Sequence, residues 1–246
     1  MAEIRLAILA SGGGTTAEAI IKSGVVDVVL VVSNNSQVGV KERAERLEIP
    51  FKHMPRAPFA VNGKIDAEES KIKYGQVLLD LFDEFGVTHV SQNGWMIKTP
   101  KNVIDHFGLR IVNQHPGPLD PPKNPDFGGQ GMYGERVHAA VLNFKDAITI
   151  KRPFEFTEAT IHIATEEFDE GLLLMTRQVP ILKGDDAETL AMRMLPVEHA
   201  IQIEFWKRMQ EGRVEPFRRD TRLILPGEFK ILEEAKRKAI ADSPSR

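Results

Sequence analysis

The sequence of 246 residues contains no cysteine. This absence excludes a disulfide scaffold, a thiolate nucleophile, an iron–sulfur cluster and any zinc site with cysteine ligands. Long apolar runs are also missing, because no stretch approaches the roughly 20 apolar residues that cross a bilayer. Any chemistry must therefore use groups other than a thiol, such as carboxylate, imidazole and amide groups.

The sequence also has no large excess of positively or negatively charged residues. The sequence has 32 Lys and Arg against 35 Asp and Glu, a formal net charge of −3, so nothing electrostatic indicates nucleic acid as a partner. The apolar run that follows Glu3 is shorter than the 7–15 or so residues of a signal-peptide core. We expect a cytoplasmic protein without a membrane partner.

Short apolar runs alternate with amphipathic stretches along most of the chain. Predicted strands cover 6–9, 25–32, 89–90, 111–112, 159–163 and 172–179, and predicted helices cover 15–22, 40–47, 68–85 and 186–210. Strands this apolar are typical of a parallel sheet buried on both faces. The pattern predicts a single α/β domain with a Rossmann-like, mostly parallel, doubly wound sheet. Residues 213–225 are predicted to form a hairpin, and the tail from Glu228 a solvated helix.

The segment 116–134 differs from the rest of the chain, since it holds five prolines and five glycines. No helix or central strand tolerates that density, which predicts a long loop. Long loops inside compact domains are more often functional than not.

A glycine-rich segment, Ser11 to Thr16, lies between a predicted strand and a predicted helix. Glycines let the backbone approach an anion closely, and a helix N-terminus offers free N–H groups, so we expect a phosphate site. Thr15 or Thr16 would cap the helix or contribute a hydroxyl.

Two other interpretations of this loop remain open. Gly12, Gly14 and Ala17 also match a dinucleotide fingerprint, but Ser33-Asn34-Asn35 stand where that fingerprint needs an acid. A tight strand–helix turn without a ligand is the second alternative.

Asn113 and His115 lie at the end of a predicted strand, where alternation points both side chains to one face. Histidine exchanges protons near neutral pH, and an amide can donate to a developing oxyanion. Taken alone, such a histidine is more often an ordinary hydrogen-bonded polar residue.

A third motif runs from Thr160-Ile161-His162 to Asp169 and Gly171. A carboxylate held near His115 would raise the pKa of that imidazole, although the residues alone favour a plain acidic turn. The seven histidines have no metal-ligand spacing, and we expect no metal.

Together these motifs resemble those of the folate-dependent formyltransferase family. The matching segments are SGGGTT (11–16), Ser33-Asn34-Asn35, Gly94-Trp95-Met96, Asn113-Gln114-His115-Pro116, and Thr160-Ile161-His162 with Asp169 seven residues after the histidine. The resemblance covers about residues 4–212. It implies a formyltransferase domain over 1–212, with a hairpin and helical extension over 213–246.

The resemblance also implies a reaction. The formyl group of 10-formyltetrahydrofolate, the cosubstrate, would pass through a tetrahedral intermediate to the amine of glycinamide ribonucleotide, a step of purine synthesis. The implied partners are these small molecules, and a homodimer stays open.

Residue roles follow from the same resemblance. His115 would be the general acid/base, Asn113 the oxyanion donor, and Asp169 the group that raises the pKa of His115. The residues implied for the phosphate and ribose are Gly14, Thr15, Thr16 and Glu198, and those implied for the folate are Lys71, Met96, Ile97, Lys98, Thr99, Asn113 and Thr165.

Several positions depart from the family pattern. Thr15-Thr16 replace Ser-Asn, Ile97-Lys98 stand where an arginine is usual, and Leu195 precedes Glu198 where Gln or Lys is frequent. Segments 120–130 and 143–158 look like insertions. Two alternatives therefore remain: an N-formyltransferase acting on an amino sugar or another amine, and a nucleotide-binding module without formyl chemistry.

Overall fold

The computed structural model describes residues 3–122, 124–148 and 152–242. The strands are β1 (Arg5–Leu9), β2 (Asp27–Ser33), β3 (Phe51–His53), β4 (His89–Asn93), β5 (Ile111–His115), β6 (Phe156–Ile163) and β7 (Leu173–Pro180). The helices are α1 (Thr15–Ser23), α2 (Gly39–Arg46), α3 (Glu68–Glu84), α4 (Lys101–Phe107), α5 (Glu135–Ile148), α6 (Ala187–Gln210) and α7 (Phe229–Asp242).

The strands follow the order β3-β2-β1-β4-β5-β6-β7 in one seven-stranded sheet. Strand β1 pairs in parallel with both β2 and β4, β2 pairs in parallel with β3, and β6 and β7 are antiparallel. An order that runs outward to β3 and then returns past β1 to β4 is that of a doubly wound sheet. The predicted α/β, mostly parallel fold class is confirmed.

The chain divides into two compact units. The first comprises Met1–Asn113, Ile163–Glu167 and Gln202–Val214, and the second comprises Gln114–His162, Phe168–Ile201 and Glu215–Arg246. The assignment of residues 1–212 to one domain with an extension over 213–246 stays a prediction.

The core of the first unit forms where the sequence is most apolar. Almost every residue of β1 and β2 is buried, as expected for strands covered on both faces. Helix α3 contributes the buried rings of Tyr74 and Phe82, and Phe82 packs edge-on against Phe107 of α4 at 5.6 Å between ring centroids.

The second unit contains the β6–β7 hairpin, whose register pairs Thr160 with Thr176 and shifts between Ile161 and His162. Helices α5 and α7 pack against each other in this unit. The C-terminal helix is therefore not simply solvated, because it buries Leu232, Ala235 and Ala239. The amphipathic spacing of these three residues explains the difference.

The described part of the segment 116–134 contains no helix or strand, as predicted from its prolines and glycines. The 143–158 segment supplies the end of α5 and the beginning of β6, and its residues 149–151 lie outside the described residues. Strand β3 and helices α4 and α5 were not predicted. Strand β3 has three residues and α4 has seven, too few for a clear period, whereas the amphipathic spacing of α5 was a signal that the sequence did offer.

The predicted hairpin over residues 213–225 is wrong. These residues, all described, contain no pair of strands, and Phe217 instead forms a single bridge with Leu173 at the start of β7. Polar groups of this segment bond elsewhere: Arg219 binds the carbonyl of Leu119 at 2.7 Å. The alternation of polar and apolar residues, which predicted the hairpin, carries no information about this contact with a distant loop.

Candidate functional site

His115 lies at the carboxyl end of β5 and is 3% exposed. Its Nδ1 lies 3.5 Å from Oδ2 of Asp169, and its Nε2 lies 3.0 Å from the carbonyl oxygen of Phe127. Both ring nitrogens therefore face hydrogen-bond acceptors. A neutral ring donates to one of these acceptors, and a protonated ring donates to both.

Asp169 sits in the turn between β6 and β7 with φ at 63°, a conformation that aspartate tolerates better than most residues. Its Oδ2 accepts a hydrogen bond from the backbone N–H of Gly129 at 2.8 Å. Its Oδ1 lies 3.3 Å from Nε2 of His162. The structure thus brings together His115 and Asp169, which are 54 positions apart in the sequence.

Burial opposes ionisation of Asp169, but the nearby charge of His115 and the hydrogen bonds from His162 and Gly129 hold its pKa below the usual range. Burial also lowers the pKa of His115, while Asp169 and the Phe127 carbonyl act to raise it. Asp169 therefore acts in the predicted direction, but burial makes the net shift downward rather than upward. The result is an ionised Asp169 carboxylate beside a His115 ring that can accept a proton.

The Phe127 carbonyl is held by its surroundings. The Asp126 carboxylate accepts hydrogen bonds from the N–H groups of Asp120 and Gly128, each at 2.8 Å. The Phe127 ring is fully buried and lies 5.5 Å from the ring of Phe144. These contacts fix the backbone that faces His115.

Sequence reasoning did not assign a role to three groups around Asp169 and His115: the His162 ring, the Gly129 N–H and the Phe127 carbonyl. The Thr160-Ile161-His162 motif was a signal for the first. The other two are backbone groups of an irregular loop, and no side-chain pattern reveals where such groups point.

Asn113 precedes His115 by two residues on β5 and is partly exposed, whereas the intervening Gln114 is buried. Gln114 donates a hydrogen bond from Nε2 to Oε1 of Glu198 at 2.6 Å. Burial raises the pKa of Glu198 to about 7, with the Gln114 hydrogen bond opposing that shift.

In the first unit, α1 begins at Thr15 and its N-cap residue is Gly14, with φ at 76° and no side-chain cap. The expectation that Thr15 or Thr16 caps the helix is wrong, because the left-handed conformation at this position requires glycine. A Cβ on Gly14 would also lie 2.4 Å from Val40. By contrast, a Cβ on Gly12 or Gly13 would meet no atom within 4 Å.

Ser11 joins the loops that follow three neighbouring strands of this unit. Its N–H donates to the carbonyl of Gly94 at 2.9 Å, and its Oγ accepts from the N–H of Met96 at 3.0 Å and donates to Oδ1 of Asn34 at 2.5 Å. The β1–β4 boundary is the switch point of the doubly wound sheet, where such folds bind ligands.

The seven residues implied for the folate all lie in the first unit, and three of them contact a glutamate. Lys98 and Thr165 meet at Glu167: Lys98 Nζ lies 2.6 Å from its carboxylate, and Thr165 Oγ1 donates to its carbonyl at 2.8 Å. Lys71, in contrast, pairs with Glu68 on the first turn of α3, at 3.6 Å.

Asn113 lies on β5, and the other three residues implied for the folate follow β4. Met96 is 48% exposed, Ile97 packs against the core, and Thr99 Oγ1 accepts a hydrogen bond from Gln92 at 2.7 Å. Met96 is therefore the exposed one of these three side chains.

Residues 4–205 match the family model described as formyl transferase. The chain belongs to the formyl transferase family. The match ends before α7, so the last 41 residues of the chain lie outside the segment that the family shares.

Relatives of this formyl transferase occur in plants and bacteria. It is 32% identical to the chloroplastic phosphoribosylglycinamide formyltransferase of Arabidopsis thaliana, over 86% of this chain and 67% of that protein. The Vigna unguiculata counterpart is 33% identical over 85% of this chain and 62% of its own length. This formyl transferase thus spans about two thirds of the length of these plant relatives.

Solved structures show the same fold. Glycinamide ribonucleotide transformylase 1 from Symbiobacterium toebii superposes with a TM-score of 0.68 at 26% identity, covering 87% of this chain and 94% of that one. Phosphoribosylglycinamide formyltransferase from Brucella melitensis gives 0.69 at 28% identity, covering 88% and 100%.

Two features are absent from the described residues. No helix there is both long and apolar enough to cross a membrane. Within the same ranges, no group of three or more His, Asp or Glu residues could hold a metal ion.

Proposed function

We propose that this formyl transferase moves the formyl group of 10-formyltetrahydrofolate to the amine of glycinamide ribonucleotide. The observation that carries the proposal is the position of His115, held between the Asp169 carboxylate and the Phe127 carbonyl at the end of the strand that also bears Asn113. The names of the plant and bacterial relatives support the same acceptor.

The residues after β4 fit a polar heterocyclic cosubstrate. Met96 is about half exposed, and among the described residues the buried Nδ2 of Asn93 and Nε1 of Trp95 have no hydrogen-bond partner. When bound, 10-formyltetrahydrofolate supplies an activated formyl group. The residues that would hold it are Lys71, Met96, Ile97, Lys98, Thr99, Asn113 and Thr165.

Each catalytic role follows from a functional group. The Asn113 amide donates a hydrogen bond to the formyl oxygen as negative charge develops on it. His115 takes a proton from the attacking amine and delivers it to the departing nitrogen, and ionised Asp169 stabilises the imidazolium in between. Direct attack by an amine needs no covalent nucleophile, which is consistent with a sequence that contains no cysteine.

The acceptor would be held by its phosphoribosyl part. The backbone N–H groups of Gly14, Thr15 and Thr16 stand at the start of α1, where the helix dipole favours an anion, and they would donate to the phosphate. Glu198, in its ionised form, would accept hydrogen bonds from the ribose hydroxyls.

Formyl transfer by the purified protein tests the proposal, with 10-formyltetrahydrofolate as donor and either glycinamide ribonucleotide or one of several amino sugars as acceptor. We expect turnover with the ribonucleotide, and its loss in His115→Ala but not in the matched control His53→Ala, since His53 is exposed. Turnover with an amino sugar and none with glycinamide ribonucleotide would identify an amino sugar as the acceptor. Binding of NADPH without any formyl transfer would favour a nucleotide-binding module.

Two further expectations accompany the proposal. A cytoplasmic location stays a prediction, and the plant relatives are described as chloroplastic. A homodimer likewise stays a prediction, which the molecular mass in solution would test.

A further inference from the structure

The C-terminal helix α7 contacts the loop that faces His115. Lys236, partly buried on α7, donates hydrogen bonds from Nζ to the carbonyl of Asp126 at 3.0 Å and to the carbonyl of Gly128 at 2.5 Å. These two carbonyls flank Phe127, whose own carbonyl lies 3.0 Å from Nε2 of His115. The Lys236 ammonium group therefore forms hydrogen bonds with the backbone on both sides of Phe127, the residue whose carbonyl contacts the His115 imidazole.

The same stretch of backbone also orients the carboxylate. The residue after Gly128 is Gly129, whose N–H donates to Asp169 at 2.8 Å. A displacement of the 126–129 backbone would therefore move a partner of each member of the His115–Asp169 pair. Lys236 binds this stretch of backbone from α7, through two carbonyls.

Other contacts from the C-terminal segment hold the earlier part of the same loop. Arg219 Nε donates to the carbonyl of Leu119 at 2.7 Å, and the N–H of Leu223 donates to Oδ2 of Asp120 at 2.9 Å. The loop thus depends on residues 219–236, all of which follow the part of the chain that matches the family model.

We propose that Lys236 is a positioning residue for His115, through which α7 fixes the Phe127 carbonyl and the Gly129 N–H in the geometry that proton transfer needs. This inference rests on the proposed role of His115 in formyl transfer. It gives the C-terminal extension a function in catalysis in addition to packing on α5.

The physical basis is geometric precision. Displacing a group near the reacting centre by about 1 Å can cost roughly 100-fold in rate, even when the substituted residue does not touch the substrate. Loss of the two Lys236 hydrogen bonds should therefore lower kcat and leave substrate binding nearly unchanged, because Lys236 lies outside the residues proposed to hold either substrate.

The test compares Lys236→Met, which keeps most of the aliphatic stem, with Lys236→Arg, which restores a cation with several donors. Lys238→Met is the matched control, since Lys238 is exposed on the same helix. We expect kcat to fall about 10- to 100-fold in Lys236→Met with both KM values within about twofold, partial recovery in Lys236→Arg, and no change in the control.

A second measurement is independent of activity. Amide hydrogen exchange at Gly128 and Gly129 should be about tenfold faster in Lys236→Met than in wild type, with unchanged exchange in the β1 and β2 core. A kcat within twofold of wild type, or unchanged exchange at both glycines, would overturn the inference. Absence of formyl transfer by the wild-type protein would instead refute the proposed function, and the exchange data would still report on Lys236. If Lys236→Met does not fold, Lys236→Gln, which also removes the cation, replaces it in both measurements with the same expected and contradicting outcomes.

Discussion

Asp169 lies 3.5 Å from Nδ1 of His115 through one carboxylate oxygen and 3.3 Å from Nε2 of His162 through the other. All three side chains are buried. One carboxylate therefore serves two histidines in a region where charges are poorly solvated. Its charge supports a proton on His115, while its second oxygen is kept in place by His162.

Asp169→Asn should abolish most of the activity while leaving the protein folded. The amide keeps the size of the side chain but removes the charge that stabilises an imidazolium on His115, so kcat should fall about 10²- to 10⁴-fold. Steady-state formyl transfer measures this effect, and circular dichroism checks the fold. Asp146→Asn, at an exposed aspartate on α5, is the control and should retain wild-type kcat. Turnover of the Asp169 variant within threefold of wild type would eliminate the proposed mechanism.

Glu198 predicts a pH dependence of substrate binding. Its pKa of about 7 means that it loses its charge as the pH falls below neutrality. An ionised carboxylate accepts hydrogen bonds from ribose hydroxyls better than a protonated one. KM for the ribonucleotide should therefore rise as the pH falls from 8 to 6, and this rise should be absent in Glu198→Gln. Identical KM profiles for the two proteins would contradict the role.

The same group predicts how stability changes with pH. Its folded-state pKa is raised from an ordinary 4.5 to about 7, so the folded protein binds more protons than the unfolded chain between these values. The contribution of Glu198 to stability is therefore largest below about pH 4.5 and is lost as the pH rises through 7. Urea unfolding should show Glu198→Gln gaining on wild type, between pH 5 and 8, by on the order of 2 kcal/mol. A constant difference across this range would show that burial does not perturb Glu198.

Side-chain periodicity was enough to predict six of the seven described strands, all except the three-residue β3. The apolar runs that became β1, β2 and β5 are buried as expected, and the 116–134 segment is irregular because its prolines and glycines allow nothing else. The hairpin prediction at 213–225 failed because Arg219 and Leu223 bond to a distant loop, and that preference leaves no local signal.

The candidate site was predictable only in part. The motif spacing was enough to predict that Asn113, His115 and Asp169 belong to the candidate site. The direction of the His115 pKa shift could not, because it depends on how deeply the ring is buried. The Lys236 contact was also hidden, since a lysine in an alternating Glu-Lys-Ala tail looks like any solvated residue.

Gly128→Ala tests how closely the loop packs on the carboxylate. A Cβ on Gly128 would lie 2.7 Å from Cβ of Asp169 and 2.7 Å from Cδ2 of Leu119, closer than real contacts allow. We expect displacement of Asp169, a loss of about 1–3 kcal/mol in the free energy of unfolding, and a fall in kcat larger than the loss of folded protein explains. Denaturant unfolding and kinetics on the same preparation separate the two effects. Gly227→Ala, where a Cβ would meet nothing within 4 Å, should change neither.

The glycine loop offers a pair of substitutions that separate folding from anion binding. Gly14→Ala introduces a Cβ 2.4 Å from Val40 at a position with φ of 76°, so it should lower the free energy of unfolding by about 1–3 kcal/mol.

The Cβ that Gly13→Ala introduces meets no protein atom within 4 Å, and Gly13 has no positive φ, so the free energy of unfolding should stay within about 0.5–1 kcal/mol of wild type. If the loop holds the substrate phosphate, however, the added methyl group of Gly13→Ala obstructs the approach of the backbone to the anion. KM for glycinamide ribonucleotide should then rise about tenfold or more, while KM for 10-formyltetrahydrofolate stays unchanged. An unchanged KM for the ribonucleotide in a stable Gly13→Ala protein would refute the proposal that this loop binds the substrate phosphate.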